Sequence, residues 1–414
     1  MKKRLNRKGW VLLGSLILIV TVLGAAGLSL GRYYWATAVE RSGVVYVPTG
    51  ASFTQLMDSL RRHEVLRNET AFARMARRHG LDTALKAGRY ELKEGMSYVR
   101  TVRMLRLGWQ VPVRVTFNNI RTPDRLAGVL ARKLEPDSAA WLSALTSDSL
   151  ARVYGLTPQT ILTLCIPNTY EFFWNTSPDT FLQRMRQESD KFWTSRDAKL
   201  SRSGLTRQQA YILASIVYEE TKRKNEMPRV AGVYVNRLKR GMPLQADPTV
   251  KYAVGDFALR RVLNRHREVD SPYNTYKYPG LPPGPICMPS IAAIDAVLDY
   301  ADHDYLYFCA KDDLSGAHNF AKTLAEHNRN AAATSLLFRK LVPAVLSGGK
   351  GGNPVEPGRA RDALDFIAGN DHFFLNLSMA ACKCMLDAAH GVPHSSLVTA
   401  MARNGVNFGI RVSG

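Results

Sequence analysis

Apolar residues recur at two spacings over residues 43–118, and these spacings predict small strands alternating with helices. Residues 111–117 (VPVRVTF) alternate between apolar and polar positions, which is typical of a strand, and residues 43–48 and 87–92 are shorter candidate strands. Residues 52–60, 69–79 and 97–107 place apolar positions three or four residues apart, as on one face of a helix. We therefore predict a compact α+β module over residues 43–118.

The N-terminus starts with a basic segment that is followed by a stretch without charge. The basic residues are Lys2, Lys3, Arg4, Arg7 and Lys8, and the uncharged stretch covers residues 10–30. A helix of that length spans about 30 Å, the thickness of the bilayer core. The positive-inside rule then predicts a cytoplasmic segment 1–9, one transmembrane helix over 10–30 in the inner (plasma) membrane, and the remaining chain outside the cytoplasm. A cleaved signal peptide is the alternative.

Residues 119–330 are predicted to form a second, larger domain of mixed composition. Helical spacing dominates residues 122–195, with a break at residues 166–172. Further helices are predicted over 206–222, 225–241 and 290–300, and a short buried strand over 305–309. Residues 280–285 (GLPPGP) indicate a rigid loop, because proline fixes φ and glycine permits tight turns. Together with the first module, this pattern predicts an α+β fold class.

The helix predicted from residue 206 carries a carboxylate on its apolar face. Residues 206–209 (TRQQ) form a capping-box pattern that starts the helix. The apolar positions 213, 216 and 217 share a face with Glu220, whereas Glu219 lies about 100° around the helix. Desolvation on such a face favours the protonated carboxyl group, which can act as a general acid. The alternative is a helix-end glutamate that reaches solvent or pairs with Lys224.

The charge balance is strongly basic, with a formal net charge of +21 at pH 7. Such an excess favours a polyanionic neighbour, such as nucleic acid, anionic lipid or an acidic wall polymer. No zinc-finger spacing, basic recognition helix or RNA-binding signature is present, so we expect no nucleic-acid partner. The five cysteines lack metal-ligand spacing, so we expect no metal site and no cofactor. Cys165, Cys287 and Cys309 lie in apolar surroundings typical of buried thiols.

Seven motifs in the first 330 residues together resemble one family, the membrane-anchored endolytic murein transglycosylases, or YceG-like (MltG) proteins. They are, in chain order, 86–92 (KAGRYEL), 166–170 (IPNTY), 213–217 (LASIV) with 220–221 (ET), 233–238 (VYVNRL), 241–249 (GMPLQADPT), 273–276 (YNTY) with 280–284 (GLPPG), and 318–320 (HNF) with 327–328 (HN). The resemblance implies a LysM-like module over 43–118 and a transglycosylase catalytic domain over 119–330.

The resemblance also implies an activity. It is cleavage of nascent peptidoglycan strands between MurNAc and GlcNAc, which leaves 1,6-anhydroMurNAc ends and terminates glycan elongation. Glu220 matches the family's catalytic glutamate. Many members carry an acidic residue two positions earlier, where this chain has Tyr218. One carboxyl group can suffice, because the 6-hydroxyl of the same sugar is the nucleophile and no activated water is needed.

Seven further residues are predicted to line the substrate cleft: Gln245, Asp247, Tyr273, Asn274, Tyr276, His318 and Asn328. Each has a structural alternative. Asp247 precedes a proline and could cap a turn, the two tyrosines could be packing aromatics, and Asn274 could brace its loop. His318 and Asn328 could be structural polar groups. Arg237 is expected to form a structural ion pair on its helix.

Three function classes remain open from the sequence. The first is the transglycosylase, with peptidoglycan glycan strands as substrate, the inner membrane as anchor and peptidoglycan synthases as candidate partners. The second is a non-catalytic wall-binding scaffold of the synthesis machinery, which the retained Glu220 disfavours. The third is a hydrolytic muramidase that uses Glu220 together with Asp247.

The C-terminal segment 331–414 does not continue the pattern. After a linker at 347–354 (SGGKGGNP), residues 370–381, 398–405 and 408–414 resemble a different, poorly characterised family, the YahG/YlbE-like proteins. We predict helices over 371–390 and 395–403 and assign no function to this mainly helical tail. A gene fusion or a sequence-assembly junction near residues 328–333 would explain the change of family.

Overall fold

The computed structural model describes residues 7–259, 262–313 and 315–334. The helices are α1 (Arg7–Trp35), α2 (Phe53–Arg62), α3 (Glu69–Arg78), α4 (Tyr98–Leu107), α5 (Pro123–Ala131), α6 (Ser138–Leu145), α7 (Asp148–Val153), α8 (Pro178–Thr194), α9 (Asp197–Ser203), α10 (Arg207–Glu220), α11 (Met227–Lys239), α12 (Asp247–Val254), α13 (Asn264–Arg267) and α14 (Ile291–Leu298). A short 3₁₀ helix covers Ile161–Leu164, and residues 324–334 are helical. Apart from residues 331–334, the predicted tail lies outside the described residues.

The strands form small antiparallel pairs, which confirms the α+β class. They are β1 (Gly43–Val47), β2 (Gly88–Leu92), β3 (Val113–Phe117), β4 (Asn168–Phe172), β5 (Tyr307–Ala310) and β6 (His318–Ala321). β1 pairs with β2, β3 with β4, and β5 with β6. Strands β4 and β6 and helix α12 were not predicted, because each is short and its partner lies elsewhere in the sequence.

The described chain divides into two compact units, which do not follow the predicted boundary near residue 118. The first contains the chain up to residue 117 together with 124–144 and 168–183. In it, alternate residues of β1 and β2 pack on α2, α3 and α4 around Leu60, Phe72 and Tyr90, all fully buried. Helix α2 starts with a complete capping box from Ser52 and Gln55. The helix start and the apolar spacing predicted from the local sequence therefore match the cap and the buried positions observed in this unit.

The second unit contains residues 118–123 and 145–167 and the chain from 184 onwards. Its core forms around α10, which is buried continuously from Ala210 to Val217 and packs against α11 and α14. The sequence predicts one apolar face for this helix, whereas the structure places it in the interior of the unit. The predicted Gly–Pro loop docks on α10, because the Ile286 amide donates to Ser215 Oγ over 3.1 Å.

Gly284 in that loop fills a position that no other residue fits. A Cβ atom there would lie 2.2 Å from the carbonyl oxygen of Gln159 and 2.8 Å from the hydroxyl of Tyr273. Backbone atoms cannot yield to such a contact without a shift of the chain. The glycine therefore fixes a close approach of the loop to the region of the 3₁₀ helix.

Helix α1 covers the stretch that the sequence predicts as a transmembrane span. Its side chains at Leu18, Leu23 and Leu28 are more than half exposed. Among the residues that the structure describes, no helix meets both the length and the hydropathy needed to cross a bilayer.

Candidate active site

Glu220 is the last residue of α10, and it is 8% exposed. The helix begins as predicted, since Thr206 Oγ1 accepts from the Gln209 amide (3.2 Å) and Gln209 Oε1 accepts from the Thr206 amide (2.9 Å). It ends immediately after Glu220 because Thr221 has extended backbone angles. The carboxyl group is therefore held at a rigid helix end.

Glu220 opens onto a cleft with a volume of about 330 Å³. The cleft is built by side chains from α10, α11, α12, α13, β5, β6 and the helical residues 324–334, and from the loops next to them. Of the predicted site residues, it brings together five: Glu220, Gln245, Asp247, Tyr276 and His318. Arg237, Arg267, Tyr234, Tyr307 and His327 also line it.

Tyr234 of α11 donates a hydrogen bond of 2.6 Å to Glu220 Oε1. Burial, and then the charge of Glu220, raise the pKa of Tyr234 well above its usual value. The phenol is therefore a hydrogen-bond donor throughout the neutral range, and it fixes the orientation of the carboxyl group. Sequence reasoning missed this residue, although it lies within the matched motif 233–238, because its contact with α10 is tertiary.

Asp247 is the second carboxylate of the cleft, and it is 6% exposed. Its Oδ1 accepts a hydrogen bond of 2.5 Å from the Tyr276 hydroxyl and lies 3.6 Å from Arg267. The guanidinium of Arg267 also stacks over the Tyr276 ring at 4.6 Å. Burial and then Asp247 raise the pKa of Tyr276, so this phenol is a donor as well. Asp247 is the first residue of α12, directly after the N-cap residue Ala246.

Gln245 borders the cleft in a left-handed backbone conformation with φ of 52°. Its Oε1 accepts from Arg237 over 3.4 Å. Arg237 also donates to the carbonyl oxygens of Leu306 (2.7 Å) and Leu244 (2.8 Å). Arg237 therefore binds backbone carbonyl oxygens in place of the expected acidic partner. These hydrogen bonds connect the start of β5 to the segment before α12.

His318 is paired with a buried carboxylate that the sequence did not indicate. Its Nδ1 lies 3.0 Å from Glu226 Oε2, and its backbone amide donates to Glu226 Oε1 over 3.0 Å. Both residues are less than a tenth exposed. The two positions are 92 residues apart in sequence, so no local pattern could reveal the pair.

Three predicted residues do not line this cleft. Tyr273 packs against Tyr252 with ring centroids 4.6 Å apart and borders the core of the second unit. Asn274 is fully buried, and its side-chain amide donates to the carbonyl oxygens of Arg267 and Val269, both over 2.8 Å. Its Oδ1 accepts from the Tyr276 amide over 3.1 Å, so it braces the loop that carries Tyr276. Asn328 is exposed, and its neighbour His327 lines the cleft instead.

Glu219 lies outside the cleft, as the helical geometry predicts. Its carboxylate pairs with Arg121 over 2.5 Å and with Lys222 over 3.3 Å. The neighbouring acids of α10 therefore differ in environment, with Glu219 bound in partly buried ion pairs and Glu220 in the cleft. This difference supplies a matched control for mutagenesis.

Three thiols among the described residues are free. Cys165 and Cys287 are buried, which agrees with their predicted environment, and Cys309 is half-buried and lines the cleft. Burial raises the pKa of Cys165 to about 12. Cys382 and Cys384 lie outside the described residues.

Two family models match different parts of the chain. The YceG-like family matches residues 45–333, and the oxamate carbamoyltransferase subunit AllG matches residues 325–414. In the second region, the uncharacterised protein YahG of Escherichia coli is 48% identical over 88 residues, which are 21% of this chain and 18% of that protein. The predicted resemblance of the tail to YahG is confirmed, but the shared segment is less than a fifth of the relative.

Relatives of the larger region are endolytic murein transglycosylases. That of Bacillus subtilis is 30% identical over 306 residues, which cover 69% of this chain and 82% of the relative. That of Streptococcus pneumoniae serotype 2 is 27% identical over 318 residues, 70% of this chain and 57% of the relative. A crystal structure of a putative YceG-like protein from Listeria monocytogenes shares 29% identity, with a TM-score of 0.46 over 70% of this chain and 99% of that one. By the extent of the family match, this chain belongs to the YceG-like family.

Proposed function

We propose that this protein is an endolytic lytic transglycosylase of peptidoglycan with Glu220 as its catalytic acid and base. The observation that carries the proposal is the buried carboxyl group of Glu220, which is oriented by Tyr234 at 2.6 Å in a cleft that Asp247 and His318 also line. Membership of the YceG-like family and the names of the relatives support the same activity.

The reaction can proceed with one carboxyl group. Protonated Glu220 gives its proton to the glycosidic oxygen while the bond from that oxygen to C1 of MurNAc breaks, which releases the GlcNAc strand as an alcohol. C1 develops oxocarbenium character, and the 6-hydroxyl of the same sugar attacks it to form the 1,6-anhydro bond. The hydroxyl proton returns to Glu220, so the enzyme is regenerated and no water is consumed. The intramolecular nucleophile benefits from a high effective molarity.

In this scheme, the negative charge of Asp247 stabilises the positive charge that develops on the sugar ring. A carboxylate held by Tyr276 and Arg267 in a largely buried cleft stabilises positive charge on the sugar ring more strongly than one in water. Gln245 and His318, whose side chains border the same cleft, are proposed to contact the substrate, and Tyr276 to do so beside Asp247. Tyr273, Asn274 and Asn328 are proposed to act from outside it, Asn274 by holding the Tyr276 loop.

A hydrolytic muramidase is the second candidate, because two carboxylates line one cleft. In that reaction Glu220 is the acid, and Asp247 is the nucleophile or the base that activates water. The two reactions differ in their products, since hydrolysis leaves a reducing MurNAc end and the transglycosylase leaves an anhydro end.

We also propose that the protein acts outside the cytoplasm at the inner membrane, with α1 as its membrane attachment and residues 43–118 as a LysM-like glycan-binding module. The uncharged stretch 10–30 and the exposed apolar side chains of α1 support attachment. Alkaline carbonate extraction of membranes tests its mode, because an integral helix resists extraction and a surface-bound helix is released. Peptidoglycan synthases are proposed partners, which co-purification of the full chain under crosslinking would test.

The decisive experiment is mass spectrometry of glycan products from uncrosslinked peptidoglycan incubated with the full chain. Wild type is compared with Glu220→Gln and with the matched control Glu219→Gln. We expect anhydroMurNAc ends with wild type and Glu219→Gln and none with Glu220→Gln. Reducing ends would establish the muramidase, and intact strands with retained binding in all three proteins would establish a scaffold.

A further inference from the structure

Helix α4 of the first unit carries an exposed basic surface that the proposed catalysis does not use. Its sequence (YVRTVRMLRL) has three arginines and no acidic residue. Arg100, Arg103 and Arg106 follow one another at intervals of three and are all exposed. The ion pairs found among the described residues include none of the three. Their positive charge therefore stays uncompensated at the surface.

The arginines are part of a larger cluster with the end of α3. The last turn of α3 adds Arg77 and Arg78, and His79 follows directly. Burial, and then the charges of Arg103, Arg78 and Arg106, lower the pKa of His79. Helices α3 and α4 pack against each other, so these arginines and His79 share one region of the unit's surface.

Exposed apolar side chains stand at the end of the same helix. Leu107 is 55% exposed and Trp109 is 54% exposed. Trp109 is fixed there by the helix cap, because its amide donates to the Met104 carbonyl over 3.0 Å and Gly108 is left-handed. Tryptophan beside arginine is the combination that favours the boundary between headgroups and acyl chains of a bilayer.

The position of α4 in its unit favours a lipid surface over a soluble polyanion. Trp35 at the end of the apolar helix α1 and Tyr98 at the start of α4 line one opening. The basic surface therefore lies on the helix that α1 contacts. A polymer of phosphate groups would satisfy the arginines, but it would leave Leu107 and Trp109 exposed to water.

We propose that the surface formed by Arg100, Arg103, Arg106, Leu107 and Trp109 docks on a bilayer that contains anionic phospholipid headgroups. The arginines meet the phosphates, and the two apolar side chains enter the headgroup boundary. This contact is separate from α1, whose uncharged stretch does not discriminate between anionic and neutral lipid. It fixes the orientation of the first unit on the membrane.

The test is flotation of the full chain with phosphatidylcholine vesicles, with and without phosphatidylglycerol. Arg103→Gln/Arg106→Gln is compared with Arg62→Gln/Arg114→Gln, which removes the same charge from exposed positions elsewhere in the unit. Each arginine near an anionic surface contributes about a fivefold change in partition. We therefore expect partition on anionic relative to neutral vesicles, a ratio in which the contribution of α1 cancels, to fall about 25-fold for the first pair and at most slightly for the control pair. On neutral vesicles we expect no difference between the variants.

A second readout localises the contact. Quenching of tryptophan fluorescence by lipids brominated near the headgroup is measured for wild type and for Trp109→Phe. The difference between the two signals gives the quenching of Trp109 alone. We expect quenching of Trp109 on anionic vesicles that is lost in Arg103→Gln/Arg106→Gln. Equal partition of the two charge-removal pairs, or no quenching of Trp109, overturns the proposal. So does binding of soluble polyglycerol phosphate that depends on Arg103 and Arg106 without any effect on vesicles, which would assign the surface to a wall polymer.

Discussion

The cleft around Glu220 and the surface of α4 both contain several ionisable side chains. The acidic side chains of the cleft are buried and hydrogen-bonded, whereas the arginines of α4 are exposed. In the cleft, Glu220, Asp247 and His318 are each less than a tenth exposed, and each has a hydrogen-bond partner on another element. On α4, Arg103 and Arg106 are exposed. Buried charges interact strongly and tolerate no missing partner, whereas exposed charges are screened by water and salt. Single changes should therefore have large effects in the cleft and small, additive effects on the surface.

Replacement of Glu220 by Gln should give the largest effect. Gln keeps the shape of the side chain but neither donates nor accepts the proton, so kcat should fall by about 10³-fold or more. Glu219→Gln, which breaks the ion pairs to Arg121 and Lys222 but leaves the cleft carboxyl groups in place, should change kcat by less than about threefold. Quantified anhydro ends over time measure both, and comparable losses in the two variants would contradict the division of roles between these neighbours.

Removal of the Tyr234 hydroxyl should give the next largest effect. Tyr234→Phe keeps the packing of α11 but deletes the bond to Glu220, and hydrogen bonds to charged groups contribute about 1.5–3 kcal/mol. We expect kcat to fall by about 10- to 100-fold with KM nearly unchanged, because the phenol orients the acid without contacting the sugar. A KM increase at constant kcat would instead make Tyr234 a substrate-binding residue.

The buried phenols also predict how stability depends on pH. The pKa values of Tyr234 and Tyr276 are raised above the usual 10.0, so above pH 10 the unfolded chain releases protons that the folded protein keeps. Folding stability should then fall as the pH rises, by about 1.4 kcal/mol per pH unit for each such group. Thermal unfolding from pH 8 to pH 11 measures the slope, and Tyr234→Phe should make it shallower.

The surface of α4 should give the smallest effect on the enzyme itself. Arg103→Gln/Arg106→Gln should change stability by less than about 0.5 kcal/mol, because neither arginine is held in an ion pair of the described chain. Its kcat on soluble glycan strands, which the cleft around Glu220 sets, should stay within about twofold of wild type, although docking of α4 on the membrane is lost. A large loss of activity on soluble strands would show that α4 takes part in substrate binding and would remove the contrast with the cleft.

Local patterns predicted much of the fold. The capping boxes at Ser52 and Thr206, the apolar spacing of α2, α3 and α4, and the alternation in β3 all depend on neighbours within a few residues. The separation of Glu219 from Glu220 follows in the same way from the 100° step of a helix. The role proposed for Glu220 rests on the ordered motifs of the family, because spacing alone also fits a surface ion pair.

The partners within the cleft could not be predicted. Tyr234 lies 14 positions from Glu220, Tyr276 lies 29 from Asp247, and Glu226 lies 92 from His318. Tyr273 and Tyr276 share one motif, yet one packs in the core and the other lines the cleft. Their environments are set by which elements approach them, and a one-dimensional pattern does not encode that approach.

The sequence by itself determined where many of the helices and strands form, that the chain is basic and α+β, and that Glu220 lies within one of the ordered motifs of the family, because these depend on local spacing and on motif order. The tertiary structure decided which polar residues meet. It joined Glu220 to Tyr234, Asp247 to Tyr276 and Arg267, and His318 to Glu226, and it placed Tyr273, Asn274 and Asn328 outside the cleft. A buried polar group needs a partner, and only the packing of distant segments can supply it.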